Sequence, residues 1–161
     1  MQTKSKRLLT AAAVLMIALV IYLFATAPLP PDQKQISDAI ENARAAVQRR
    51  SSTGVMSVVS DTYKDDNFAN VEQLHFVLGH AFHSSGPIAV TVDGTSILVH
   101  GDSAQSTSDL TIKSLDGTTW CDCNVNLTWK RESTHRLLFF PSTAWRVVSA
   151  SYPGMPSVGD L

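Results

Sequence analysis

Charge is scarce in this chain and almost balanced, with 13 Lys and Arg against 14 Asp and Glu for a formal net charge of −1. Beyond the first seven residues the only adjacent basic pairs are Arg49-Arg50 and Lys130-Arg131. Nucleic-acid binders neutralise phosphates with a clustered basic face, so the composition argues against a nucleic-acid partner. It argues equally against polybasic attraction to lipid headgroups away from the N-terminus. Cysteine is nearly missing as well, with Cys121 and Cys123 the only two. A structural zinc takes about four ligands, which one C-x-C pair does not supply, and neither a metal nor a cofactor is expected. No motif in the chain states a chemistry.

What is present begins with the apolar run from Leu8 to Ala27, which carries no charged residue and follows Lys4, Lys6 and Arg7. At about 1.5 Å per residue, about 20 helical residues span a hydrocarbon core roughly 30 Å thick, so the run reads as a transmembrane helix over 8–27. The positive-inside bias leaves residues 1–7 in the cytoplasm and the remainder outside, behind a Pro-rich spacer over 28–31. The expected localisation is a single-pass membrane protein with a cytoplasmic N-terminus and an extracytoplasmic C-terminal domain, its first partner being the lipid bilayer. A cleaved signal peptide competes with this reading, because Ala25-Thr26-Ala27 matches the small-x-small cleavage pattern. The apolar core exceeds the roughly 7 to 15 residues of an h-region, and Pro28 would directly follow the cut, so the uncleaved anchor is favoured.

The remaining chain, about 130 residues, suits one globular domain over 32–152 with a tail over 153–161. Ile36, Ala39, Ile40, Ala43 and Val47 form the stripe of an amphipathic helix running from about Asp32 to Arg50, with Asp32 as N-cap. Ser51 to Gly54 breaks it, and Val55 to Val59 make a short helical turn. Asn70 with Gln73 caps a third helix whose stripe is Leu74, Val77, Leu78, Ala81 and Phe82, and Ser84 to Pro87 ends it. From there the text alternates as strands: Ile88 to Val92, a hairpin turn at Asp93-Gly94, Ile97 to Val99, a turn at Gly101-Asp102, Ala104 to Lys113, a turn at Asp116-Gly117, Thr119 to Lys130 and Ala144 to Ser151. Arg136 to Phe140 is either a further strand or an apolar flap.

Residues two apart on a strand share a face, so Cys121, Cys123, Val125, Leu127 and Trp129 form an apolar row, with Trp120 on the opposite one. Buried separate thiols are the favoured reading of the cysteines. A disulfide between positions i and i+2 would close a very tight ring and needs side-chain vectors that an extended strand does not offer, and a shared metal is the third possibility. His80 and His83 have a spacing that can share a metal, but a third ligand is not evident in the sequence, and a half-exposed pair at the rim of the helices is the plainer reading.

The order of these pieces, with VVSDTYKDDN, the helix VEQLHFVLGHAF, the strands PIAVTV and SILVHGDSAQST and the closing WRVVSAS, resembles the nuclear transport factor 2-like superfamily, including its SnoaL-like branch with a cystatin-like fold. The resemblance covers about Ser37 to Tyr152. It implies an α+β domain, a cone of helices against a curved antiparallel sheet, with an apolar pocket between them. Ile40, Tyr63, Cys121, Cys123 and Val125 are the expected pocket-lining residues. Enzymes of this superfamily place an acid or imidazole and a donor in the cone. The inward stripe of the first helix carries neither, which leaves Asp65, Asp66 and His80 as the catalytic alternative of a cyclase or isomerase type. The favoured function is a membrane-anchored extracytoplasmic binding or protein-interaction module. An envelope protein is a possible partner, and a second copy could dock through the sheet face around Trp120, Asn124 and Thr128.

Overall fold

The computed structural model describes residues 13–23, 29–136 and 140–152. The chain divides into two compact units, Met1–Pro30 with Ser133–Ser142 and Pro31–Glu132 with Thr143–Leu161. In the first unit the described helix, α1, covers residues 13–23, and its apolar side chains, Leu15 and Leu23 among them, are exposed. Among the described residues no helix is long and apolar enough to cross a membrane. The expected single-pass localisation is therefore corrected. Residues 8–12 and 24–27 of that run lie outside the described residues, as do the N-terminal segment 1–7 and the tail 153–161.

The second unit holds α2 (Asp32–Gln48), α3 (Ser52–Met56) and α4 (Val71–Ser84), followed by β1 (Ile88–His100), β2 (Ser103–Ser114) and most of β3 (Thr119–Arg136) and β4 (Phe140–Ser151). The strands form one sheet in the order β1-β2-β3-β4, each beside its neighbour in sequence. This is the expected α+β arrangement of helices on a curved antiparallel sheet.

α2 begins where its stripe predicts, yet Asp32 is not its cap. Pro31 occupies the N-cap position without a side-chain hydrogen bond. The Asp32 carboxylate instead accepts from Arg131 Nη2 at 2.5 Å and from Trp145 Nε1 at 3.2 Å, and the Arg131 guanidinium lies 4.9 Å from the centre of the Trp145 ring. A buried indole N–H needs an acceptor, and the start of α2 supplies one for β4. At its far end α2 ends at Gln48 with Arg49 as C-cap, and Arg50 after it takes a left-handed φ of 56°. Ser51 then caps α3 by accepting the Gly54 N–H at 3.1 Å, so α3 starts several residues before the apolar text that predicted it. A Cβ on Gly54 would meet Ala46 Cβ at 2.8 Å, so glycine there lets the two helices touch.

Asn70 caps α4 as expected. Its Oδ1 accepts the Gln73 N–H at 2.9 Å, while Gln73 Oε1 reaches back to the Ala69 N–H at 3.0 Å. The turns at Gly101 and Gly117 also fall where predicted. Asp93-Gly94 does not make a hairpin. β1 runs straight through it, pairing with β2 from Ile88↔Ser114 to Asp93↔Asp109 and again from Ser96↔Thr107 to His100↔Ser103. Gly94 has φ +60° and sits in the register shift, so the Asp-Gly pair bends one long strand rather than closing two short ones.

The inner face of the sheet carries Ile88 and Val90 of β1, Ala104 and Ser106 of β2, Cys121, Val125 and Trp129 of β3, and Trp145 and Val147 of β4. Trp129 is 1% exposed and donates its Nε1–H to Ser106 Oγ at 2.8 Å, which lets a serine-rich strand face the core without an orphaned polar group. Ile36 of α2 packs into the same core cluster at 0% exposure. β3 extends to Arg136 and β4 starts at Phe140, so the two ends of the ambiguous segment 136–140 are strand, and 137–139 lie outside the described residues.

Candidate functional site

A cavity of about 450 Å³ lies between the helices and one end of the inner sheet face. α2 contributes Ala43 and Val47, α4 contributes Leu74, Val77, Leu78, Ala81 and Phe82, and the strands contribute Ile88, Leu110, Ile112 and Cys121. A second chamber of about 200 Å³ adjoins it, sharing Ala43, Val47, Leu110, Ile112, Leu127 and Tyr152 as walls and extending toward Ile40, Arg44, Val90 and Val125. The helical stripe read from the sequence is thus only partly core. Ile36 fills space at one end of α2, while Ala43 and Val47 at the other end line a hollow.

The polar pole of the larger cavity is built by the chain between α3 and α4. Residues 58–64 run beside β4: Ser60 N–H donates to Val147 O at 2.9 Å, Val147 N–H to Val58 O at 2.9 Å and Lys64 N–H to Val148 O at 3.1 Å. That pairing fixes Tyr63, 3% exposed, in the cavity wall. Its hydroxyl donates to the Asp65 carboxylate. Asp65 also accepts the backbone N–H groups of Asn67 at 2.8 Å and Phe68 at 2.7 Å, an Asx-type turn that spends its lone pairs locally. Burial, then the neighbouring Tyr152 and the hydrogen bond to Asp65, push the Tyr63 phenol far above its ordinary value. Burial, followed by the negative charge of Asp65, also raises Tyr152, against a hydrogen-bonding interaction with Tyr63 that lowers it. Both phenols therefore stay protonated at neutral pH and serve as hydrogen-bonding groups rather than bases.

The residues singled out by sequence are distributed as follows. Tyr63 and Cys121 line the larger chamber, and Ile40 and Val125 the smaller one. Cys123 lines neither. Asp65 is held behind Tyr63, Asp66 is exposed outside both linings, and His80 is exposed on α4 together with His75 and His83. Among the described residues no group of three or more potential metal ligands comes together. The cysteines depart from the favoured reading: they are joined as a disulfide, with Cα atoms 5.9 Å apart, inside the usual disulfide range of roughly 4.4–6.8 Å. The strand is bulged just before them, since Ile112 pairs with Cys121 but Lys113 pairs with Thr119, which leaves Trp120 without a cross-strand partner. The same bulge takes Trp120 off the outer row and makes it a wall of the larger cavity, 49% exposed. Farther along the outer row, Asn124 bonds Asp109 at 3.1 Å and Asn126 accepts from Thr107 at 2.7 Å.

Sequence reasoning missed two features of the site. Arg44 lies on the polar flank of the α2 stripe and reads as a solvated helix charge, yet it lines the smaller chamber and donates to Val90 O at 3.2 Å. Tyr152 follows the last strand and carried no signal beyond being a large aromatic.

No family model matches the sequence, and no curated protein matches it either. Solved structures do match in fold. A nuclear transport factor 2-like protein of unknown function from Pseudomonas putida superposes with a TM-score of 0.64 at 13% identity, over 79% of this chain and 89% of that one. A protein of unknown function with a cystatin-like fold from Nostoc punctiforme gives 0.61 at 11% identity, over 81% and 98%. A candidate ketosteroid isomerase from Shewanella frigidimarina gives 0.55 at 12% identity, over 73% and 94%. At these identities the likeness establishes the nuclear transport factor 2-like, cystatin-like fold and leaves activity to be argued from the site.

Proposed function

We propose that this domain binds a small, largely apolar molecule in the cavity between its helices and sheet. The observation that carries the reading is the cavity itself, about 450 Å³ with walls of aliphatic and aromatic side chains and a polar pole of two protonated phenols. Ligand sites are typically concave, about 300–1,000 Å³ and mostly apolar, with a few polar groups that set orientation. Neither chamber is lined by a carboxylate or an imidazole among the described residues, and the carboxylate nearest the phenols, Asp65, is committed to its own turn. Those features favour binding over proton abstraction. The candidate ketosteroid isomerase that shares the fold is named for a compact apolar substrate, which is consistent with a cavity of this kind.

The test is titration of the full chain with N-phenyl-1-naphthylamine, a neutral apolar fluorophore. Saturable binding is expected, and loss of that binding in Ala43→Phe, whose new ring would occupy both chambers. Val77→Phe fills the larger chamber from α4 and guards against a folding defect in the first variant. No saturable binding by the parent chain, or equal binding by both filled variants with unchanged circular dichroism, would refute the reading.

A further inference from the structure

Among the described residues, Arg44 is the only charged side chain lining the two chambers. It stands at the α2–β1 side of the smaller chamber, 27% exposed, so its side chain borders both the chamber and water. Its Nη1 donates to Gln48 Oε1 at 2.8 Å and to Val90 O at 3.2 Å, which fixes the guanidinium plane against the edge of the sheet. Its Nε and Nη2 grip the Glu41 carboxylate in a two-point pair at 2.7 and 2.5 Å. A guanidinium has five N–H donors in a rigid fork that matches a carboxylate, and these four bonds use four of them.

Resting on the cavity reading above, the geometry points to a more specific ligand: an amphiphilic monocarboxylate whose apolar body fills the joined chambers and whose carboxylate takes the place of Glu41 on Arg44. Glu41 is 62% exposed, so it is hydrated as soon as it is released, and an exposed ion pair of this kind is worth little to the fold. The guanidinium stays in place through Gln48 and Val90, so the acceptor site is preorganised for the incoming anion. An alkyl body entering from this end would run along Val90, Val92 and Leu110 into the larger chamber.

The experiment compares decanoate and 1-decanol as competitors of N-phenyl-1-naphthylamine on the full chain, at a pH where the acid is ionised. The expected result is that Arg44→Met weakens decanoate relative to decanol by about tenfold, the scale of one lost charge-assisted hydrogen-bonded contact. Because Arg44 also holds Val90, Glu41→Gln serves as the second variant. It leaves the Val90 and Gln48 contacts intact, removes the competing carboxylate and is expected to tighten decanoate several-fold while decanol stays unchanged. A decanoate-to-decanol ratio that neither variant moves would overturn the inference, as would failure of decanoate to displace a bound fluorophore, and in both cases the cavity reading survives. Failure of the fluorophore itself to bind removes both.

Discussion

The two ends of the inner sheet face are made from the same strands and end in opposite states. At one end, where Ala104 pairs with Trp129, two tryptophans and Ile36 close the space between α2 and the sheet: Trp129 is 1% exposed, Trp145 4% and Ile36 0%. At the other end, where Ile112 pairs with Cys121, the facing side chains are Ala43, Val47, Val77, Ala81 and Ile88, and the space stays hollow. Apolarity is the same at both. Volume differs, because a protein interior filled to native density needs large side chains wherever helix and sheet diverge. The comparison teaches that in this chain the two buried indoles, Trp129 and Trp145, close one end, while Trp120 at the other stands half exposed in the cavity wall and leaves the space open.

The largest expected effect breaks the filled end. Trp129→Ala removes the ring that closes it and strands the Ser106 hydroxyl, and a loss of about 3–5 kcal/mol is expected in urea unfolding of the full chain. A loss no larger than that of a surface substitution would mean that the filled end does not anchor the fold.

A second, intermediate effect separates the ends by pH. The phenols at the hollow end have raised values when folded, while in the unfolded chain they titrate near 10. Stability should therefore be level with respect to these groups below about pH 10. Above it stability should fall, since the unfolded chain releases protons that the folded chain retains. Tyr63→Phe should make that alkaline decline shallower in denaturant melts collected at rising pH. Coincident slopes for parent and variant would show that Tyr63 is not held protonated.

The smallest effect sharpens the role of the disulfide. Cys121 and Cys123 are only two positions apart, so the bond closes a very small loop, and the chain-entropy argument gives it about 1.5 kcal/mol at most. The double variant Cys121→Ser, Cys123→Ser should melt only slightly below the parent, while the emission of Trp120, next to the bond in the cavity wall, should shift. A large loss of stability would assign the bond to the core rather than to the pocket wall.

Much of this was legible in the chain before its structure. The α2 stripe, the Asn70 cap, the turns at Gly101 and Gly117 and the inward row ending in Trp129 all rest on local periodicity and turn chemistry, which sequence carries directly. The errors have a common cause. Asp93-Gly94 has the letters of a hairpin, but pairing of both halves of β1 with the same β2 makes it a bulge. Asp32 has the letters of a cap, but Trp145 and Arg131, far along the chain, take its carboxylate. Cys121 and Cys123 read as separate thiols on a regular strand, and the strand is irregular at that point because of its register with β2.

The sequence by itself determined the alternation of buried and exposed positions, the class of the fold and the order of its elements, because each depends on neighbours within a few residues. The long-range pairing decided everything about the cavity: that Tyr63 is held in its wall through the pairing of residues 58–64 with β4, that Trp120 turns into it, and that Arg44 meets apolar space instead of water alone. A cavity is space that side chains from distant segments fail to fill, and that shortfall is set only when those segments are brought together.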